Sequence, residues 1–344
     1  MVKQEDMTEG KGKGQNRITI GDVAEALGIS KTTVSRAISG KGRIGEQTRQ
    51  RVLRYIEENN YRPNPMAKGL AQSKTYNIGW VIPGDSTITD LPFFQRCMIG
   101  VSEAAAKQNY DILISMVYDH DLEHLRRMVE NHKVDGIILG RTLIDDERVR
   151  FLKEQDIPFV VIGSTYETGV VQIDNDHIKA CEELTSILIL KGIHRLALIG
   201  GDESHVVNQT RKKGFEQSVA AQRLRDEDVY IYMNGETKAD VEHYVEEALR
   251  NQVECIISMD DRIGFEVLSI LKREGVSVPD QIKLASFYSS DLLESNQPAI
   301  TALQYDPKEL GVVACRTLFD ILDGKTVEDK VLLSYEVALR GSTQ

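Results

Sequence analysis

From Tyr76 onward, short apolar runs alternate with amphipathic stretches of helical period, and the whole series occurs twice. YNIGWVIP, YDILISMV, VDGIILG and PFVVIG make the first pass, and HRLALIGG, VYIYM, VECIISMDD and IKLASFY the second. Runs that are apolar throughout, rather than at every other position, belong to parallel strands covered by helices on both faces. The passes also align in detail: Gly100 in MIGVSEAAA answers Gly214 in KKGFEQSVA, and VDGIILG answers VECIISM. At 344 residues the chain is too long for one core. Two doubly wound parallel sheets therefore follow, with strand carboxyl ends facing a shared cleft, where open α/β sheets bind ligands.

The segment before Tyr76 is of a different kind. Residues 1–75 carry 14 Lys and Arg against 8 Asp and Glu, while the remainder carries 28 against 45. A basic head can neutralise phosphates while an acidic body repels them, which orients the molecule on nucleic acid. Ile20, Val23, Ala24 and Leu27 fall at helical spacing and Gly28 supplies a stop. Ser30 can then cap a second helix, Lys31 to Ser39, with Val34 and Ile38 inward and Lys31, Thr32, Thr33, Ser35 and Arg36 outward. Residues at the start of such a helix reach base edges in a major groove. Arg36, one turn further on, can grip a guanine edge or a phosphate, and both roles stay open. A third helix, Glu46 to Asn59, is expected to bury Val52, Leu53 and Ile56; its Arg49, Arg51 and Arg54 suit a solvated face as well as phosphate contact.

TIGDVAEALGISKTTVSRAISGKGRIGEQTRQRVLRYIEENNYRPN resembles the headpiece of the LacI/GalR family of bacterial transcription regulators. The likeness continues through PFFQRCMIGVSEAAA, VDGIILG, VVQIDNDHIKACEELTSILILKGIHRLALIGG and PAITALQYDPKELG. Gly45 departs from it, standing where the family usually places a Ser-like cap. The resemblance implies an α/β protein: an N-terminal all-α helix-turn-helix headpiece, then a two-lobed, periplasmic-binding-protein-like domain. It also implies that NPMAKGLAQSKT, too short to be a stable helix alone, folds as a hinge helix on DNA with Leu70 wedged into the minor groove. The DNA-contacting set is then Thr19, Ser30, Lys31, Thr32, Thr33, Ser35, Arg36, Asn64, Ala67 and Leu70. The expected division is a disordered tail at 1–16, the DNA-binding domain at 17–61, the hinge at 62–75 and the effector-binding and dimerisation domain at 76–344. The resemblance has the chain cross between lobes near Asp174, Tyr305 and Glu336. That gives lobe 1 residues 76–174 and 306–330, and lobe 2 residues 175–304 and 331–344.

In the cleft, several positions where the family places ligand-gripping polar groups hold something else. A strand-end Asp is matched by Gly163, an Arg by Gln209, an Asp by Tyr288 and a Gln by Tyr305, with Asp260 or Asp261 kept as polar anchor. The expected effector-binding set is Phe93, Phe94, Gln209, Arg211, Asp260, Asp261, Tyr288 and Tyr305. Sugars are gripped by paired hydrogen bonds and aromatic faces, so the tyrosines point to an oligosaccharide or glycoside sandwiched between Phe93 or Phe94 and Tyr288 or Tyr305. Core packing is the rival reading for Phe93 and the favoured one for Trp80.

Other chemistry finds little footing. Cys97, Cys181, Cys255 and Cys315 lie far apart without a CxxC pair, which suits reduced thiols. His120 and His124 stand at i,i+4, a spacing that can hold zinc, but DHDLEHLRRM reads as a solvated helix face. No GxGxxG, P-loop, GxSxG or HExxH occurs, so neither metal, cofactor nor enzymatic activity is expected. No apolar run suits a signal peptide or a membrane span, so a cytoplasmic location is expected. The expectation is a homodimeric repressor of carbohydrate-utilisation genes on a pseudo-palindromic operator in double-stranded DNA, switched by a small-molecule effector; a sugar-binding receptor without DNA activity is the alternative. The C-terminal ALRGSTQ carries no heptads that would add a tetramerising zipper.

Overall fold

A computed structural model describes residues 18–40, 42–61, 69, 74–84, 92–118 and 121–344 of the chain. The tail at 1–16 and the hinge residues Asn64, Ala67 and Leu70 lie outside the described residues. Contacts divide the chain into two compact units, Met1–Lys74 and Thr75–Gln344.

The first unit is built from α1 (Ile20–Leu27), α2 (Lys31–Ser39) and α3 (Glu46–Glu58). Its boundaries are set locally. Thr19 and Asp22 form a reciprocal capping box at the start of α1, and Gly28 ends the helix in the left-handed region at φ 65°. Ser30 accepts the Thr33 amide at 3.1 Å to start α2. Gly45 begins α3 with no side-chain cap, as its departure from a Ser-like residue implies. Val23, Ala24, Val34, Ala37, Val52 and Tyr61 close the core. Leu53, expected inside, is 38% exposed. Arg51 is exposed, and its Nη2 also donates to Leu27 O at 2.7 Å, satisfying an end carbonyl of α1.

The second unit has two lobes. In chain order the first contributes β1 (Asn77–Pro83), α4 (Pro92–Lys107), β2 (Asp111–Val117), α5 (Glu123–Glu130), β3 (Gly136–Leu139), α6 (Glu147–Glu154), β4 (Phe159–Ile162) and β5 (Val171–Asn175). The second contributes α7 (His177–Leu190), β6 (Leu196–Ile199), α8 (Val206–Ala221), β7 (Val229–Tyr232), α9 (Lys238–Arg250), β8 (Cys255–Ser258), α10 (Asp261–Arg273), β9 (Lys283–Ser286), α11 (Asp291–Glu294) and β10 (Thr301–Gln304). The chain returns to the first lobe for α12 (Pro307–Leu322) and β11 (Lys330–Leu333), and ends in the second with β12 (Glu336–Ala338).

The sheets run β11-β5-β4-β3-β1-β2 and β12-β10-β9-β8-β6-β7, the same order twice. All pairings are parallel except β10 with β12, which is antiparallel. Because β11 pairs with β5 in the first sheet, the lobe boundary expected after residue 330 moves to residues 334–335. Central strands such as β3, β6 and β8 are buried along their whole length, as strands covered on both faces must be.

Gly100 and Gly214 show why the repeat keeps a glycine. A Cβ at Gly100 of α4 would lie 2.0 Å from Lys308 O on α12, and one at Gly214 of α8 would lie 2.3 Å from Ile178 O on α7. Each lobe thus joins its two inner-face helices at backbone contact. All four cysteines are buried and unpaired, and burial pushes their thiol pKa values up.

Candidate functional site

A cavity of about 440 Å³ opens where the strands of both lobes end, within the range of small-molecule sites. The first lobe gives it Phe93 and Phe94 at the start of α4, Gly140 to Thr142 after β3, Ile162 at the end of β4 with Gly163 after it, and Asp174 of β5. The second lobe gives Gly201, Asp202 and His205 after β6, Asn208 and Arg211 of α8, Asp260 to Arg262 after β8, and Tyr288 after β9. His177, the first residue of α7, stands at the floor.

Of the residues expected to grip an effector, Phe93, Phe94, Arg211, Asp260, Asp261 and Tyr288 line the cavity. Gln209 and Tyr305 do not. Gln209 donates to Glu203 O at 2.8 Å, and of the two α8 residues expected in the cleft it is Arg211 that lines the cavity. Tyr305 stands behind the wall: it meets His177 Nδ1 through its hydroxyl at 3.2 Å and stacks on Tyr288 at 6.3 Å. For Phe93 and Tyr288 the rings do not stand as two parallel faces. Phe93 meets Tyr288 edge to face with ring centroids 6.1 Å apart. A sugar held between two ring faces needs them roughly 7–8 Å apart, two van der Waals contacts, so these rings form one continuous apolar wall.

The polar lining is richer than the sequence suggested. Arg141, Thr142, Asp174, His177, Asp202, His205, Asn208 and Arg262 all face the cavity and were not singled out as ligand groups. Their common signal is position, in the segments that follow a strand, the first turns of the next helix, or a crossing. Asp174 accepts the Ser164 hydroxyl at 2.8 Å and the Asn175 amide at 2.8 Å, and its Oδ1 lies 3.4 Å from His177 Nε2. Burial raises the carboxyl pKa, but His177 and these donors outweigh it and hold Asp174 ionised. Burial lowers the His177 pKa more than Asp174 raises it, and the ring stands between the Asp174 carboxylate at Nε2 and the Tyr305 hydroxyl at Nδ1.

Arg211 is 8% exposed; its Nη1 donates to Met259 O at 2.8 Å, and its Nε is buried without a hydrogen-bond partner. Asp260 caps α10 through the Ile263 amide at 2.8 Å. Asp261, 2% exposed, has its pKa raised by burial. The cleft thus presents an ionised acceptor, a buried guanidinium with an unused donor, and an aromatic wall, which suits a neutral ligand rich in hydroxyls.

In the head, Thr32, Ser35 and Arg36 are exposed on α2, Lys31 opens it, and Thr19 and Ser30 are the caps of α1 and α2. Thr33 is half-buried, its hydroxyl 2.9 Å from that of Ser30. The Arg36 side chain runs beside Gly42, 3.2 Å from where a Cβ there would sit.

A helix-turn-helix head followed by a two-lobed ligand-binding body defines the class: a DNA-binding regulator that carries its own small-molecule receptor. Comparison with known proteins agrees. The model of bacterial regulatory proteins of the lacI family matches residues 19–64, and that of the periplasmic binding protein-like domain matches residues 185–343. The transcriptional regulator MalR of Streptococcus pneumoniae is 30% identical over 315 residues, covering 89% of this chain and 93% of the relative. Among solved structures, a probable maltose operon transcriptional repressor MalR from Staphylococcus aureus is 26% identical with a TM-score of 0.74, over 79% of this chain and all but 1% of the other. A CelR–cellobiose complex is 25% identical with a TM-score of 0.70, over 95% and 100%. The chain belongs to the LacI family of bacterial regulatory proteins. It is a sequence-specific DNA-binding transcription regulator and not an enzyme.

Proposed function

We propose that the protein is a homodimeric repressor of carbohydrate-utilisation genes, whose hold on a pseudo-palindromic operator is switched by a sugar, oligosaccharide or glycoside bound between the lobes. One observation carries this reading: the chain that bears a DNA-reading head also bears a cleft that pairs hydroxyl-binding groups, Arg211, Asp174 and Asp260, with the wall of Phe93 and Tyr288. The likeness to a regulator solved in complex with cellobiose and to a probable maltose operon repressor supports the ligand class. Base contact falls to Lys31, Thr32, Thr33, Ser35 and Arg36, backbone contact to Thr19 and Ser30, and the minor groove to Asn64, Ala67 and Leu70. Phe93, Phe94, Arg211, Asp260, Asp261 and Tyr288 bind the effector, joined by Asp174 and His177.

Dimerisation is supported by an exposed apolar row on edge strand β2 and just past it. Ile114, Met116 and Tyr118 alternate on one face and are 50%, 38% and 55% exposed; an open edge with such a face is a ready docking surface. A two-fold dimer matches the two half-sites of an operator. No helix among the described residues is long and apolar enough to cross a membrane, which fits a protein working on DNA in the cytoplasm. A mobility-shift assay with DNA from upstream of neighbouring genes, with and without maltose and cellobiose, tests the reading. A sequence-specific complex weakened by a sugar is expected; no specific complex under any condition refutes it.

A further inference from the structure

The lobes meet at a place other than the crossings. The segment after β3 lies along the segment after β6: the Ile144 amide donates to Ser204 O at 2.8 Å and the Val206 amide to Thr142 O at 3.3 Å. This sets Leu143 opposite His205 as an antiparallel bridge. The crossings leave from β5, β10 and β11, whereas β3 and β6 lie two or more strands further in, so the bridge is a second, separate join. Both segments also face the cleft, through Arg141 and Thr142 on one side and Asp202 and His205 on the other.

A buried ion pair shapes the first-lobe segment. Arg148, 1% exposed, holds Asp146, 0% exposed, with both prongs: Nε to Oδ1 and Nη2 to Oδ2, each at 2.8 Å. Asp146 accepts the Leu143 amide at 2.9 Å, and Arg148 Nη2 donates to Arg141 O at 3.2 Å. The pair therefore fixes both ends of Arg141 to Leu143, the strip that makes the interlobe contact. As a source of stability such a pair is poor, because desolvating both charges offsets their attraction, and Arg148 Nη1 is buried without a hydrogen-bond partner. Holding a loop in one shape is a role for which directionality matters more than net energy.

We infer that Asp146 and Arg148 are positioning residues that set the 141–146 segment so that the lobes join main chain to main chain, and that making and breaking the Leu143–His205 bridge is the movement by which the cleft alters operator binding. The second half rests on the regulator reading above; the first does not. A ligand touching Arg141 and Asp202 touches both sides of the bridge, so occupancy and bridging are coupled by direct contact.

The flanking bonds make 143 and 205 a non-hydrogen-bonded pair, whose Cα atoms lie about 4.5 Å apart, inside the span a disulfide accepts. The four native cysteines are buried and will not compete. In the full chain carrying Leu143→Cys and His205→Cys, a disulfide should form on mild oxidation, and oxidised and reduced forms should differ in operator affinity by about ten-fold or more, reversibly. Failure of the disulfide to form overturns the bridge; equal affinity in both forms overturns its role in switching. Amide hydrogen exchange on Arg148→Lys and Asp146→Asn tests the positioning claim without DNA. The Ile144 and Val206 amides should exchange faster while those of β6 keep their protection, and uniform loss everywhere would mean the pair is merely structural. Wild-type protein that binds no upstream duplex would refute the DNA reading, and the disulfide and exchange results would still judge the bridge.

Discussion

Substituting Gly214→Ala asks how tightly the second lobe is assembled beneath the cleft. The added Cβ would stand 2.3 Å from Ile178 O and 2.9 Å from the Cys181 Cβ. A carbon normally meets a carbonyl oxygen at roughly 3.3 Å, so α7 and α8 must part by about 1 Å. Overpacking of this kind costs about 1–3 kcal/mol, and alanine's better helix propensity returns up to about 1 kcal/mol. The net loss of about 1–2 kcal/mol corresponds to a Tm lower by roughly 2–6 °C for a body of this size. Since α7 starts at His177, one residue before the clash, the displacement also reaches the cleft floor and should weaken ligand binding. Differential scanning calorimetry of the full chain reads the first effect. An unchanged or higher Tm would show slack between the helices and refute the reasoning, along with the claim that the repeat keeps its glycines for backbone contact.

Arg211→Ala should lower affinity for the effector about 10- to 100-fold, the worth of a charged hydrogen bond, while operator binding without effector is kept. Trp80 offers the readout: it is the chain's one tryptophan, wholly buried, and its ring lies 3.2 Å from where a Cβ on the cavity-lining Gly140 would stand. Arg36→Ala should weaken operator binding by about 1–3 kcal/mol and binding to a random duplex far less; equal loss on both would assign Arg36 to phosphate. Asp261→Asn should raise Tm at pH 7. Burial holds the Asp261 pKa above its unfolded value, so the native state favours the protonated acid and is penalised as pH rises through the folded pKa. The gain should shrink as pH falls below about 4, where both states are protonated, and a gain that persists there would place the cause elsewhere.

The head was legible because its signals are local. Thr19, Gly28 and Ser30 sit at helix ends and state their roles through caps whose partners lie within a few residues. The doubled sheet was legible because parallel strands buried on both faces leave unbroken apolar runs. β11 was not: its burial alternates instead of running through, and its partner β5 is more than 150 residues away. The cleft was half legible for a reason of phase. Two positions along a helix turn about 200°, so Gln209 and Arg211 cannot both face the ligand, and only packing of α8 decides between them. Tyr305 likewise sits at a crossing, and whether its ring enters the cleft or backs onto Tyr288 depends on how the lobes close. Asp174 marked a crossing in the sequence, but its pairing with His177 forms only where β5 hands over to α7.

Fluorescence anisotropy of an upstream operator duplex, titrated with full-length protein at fixed salt and repeated with a sugar that quenches or shifts Trp80 emission, joins the two halves of the molecule in one experiment. The account predicts that saturating sugar moves operator affinity by about ten-fold or more and leaves random-duplex binding nearly unchanged. Sugar that occupies the cleft by Trp80 emission yet leaves the operator isotherm where it was would contradict it.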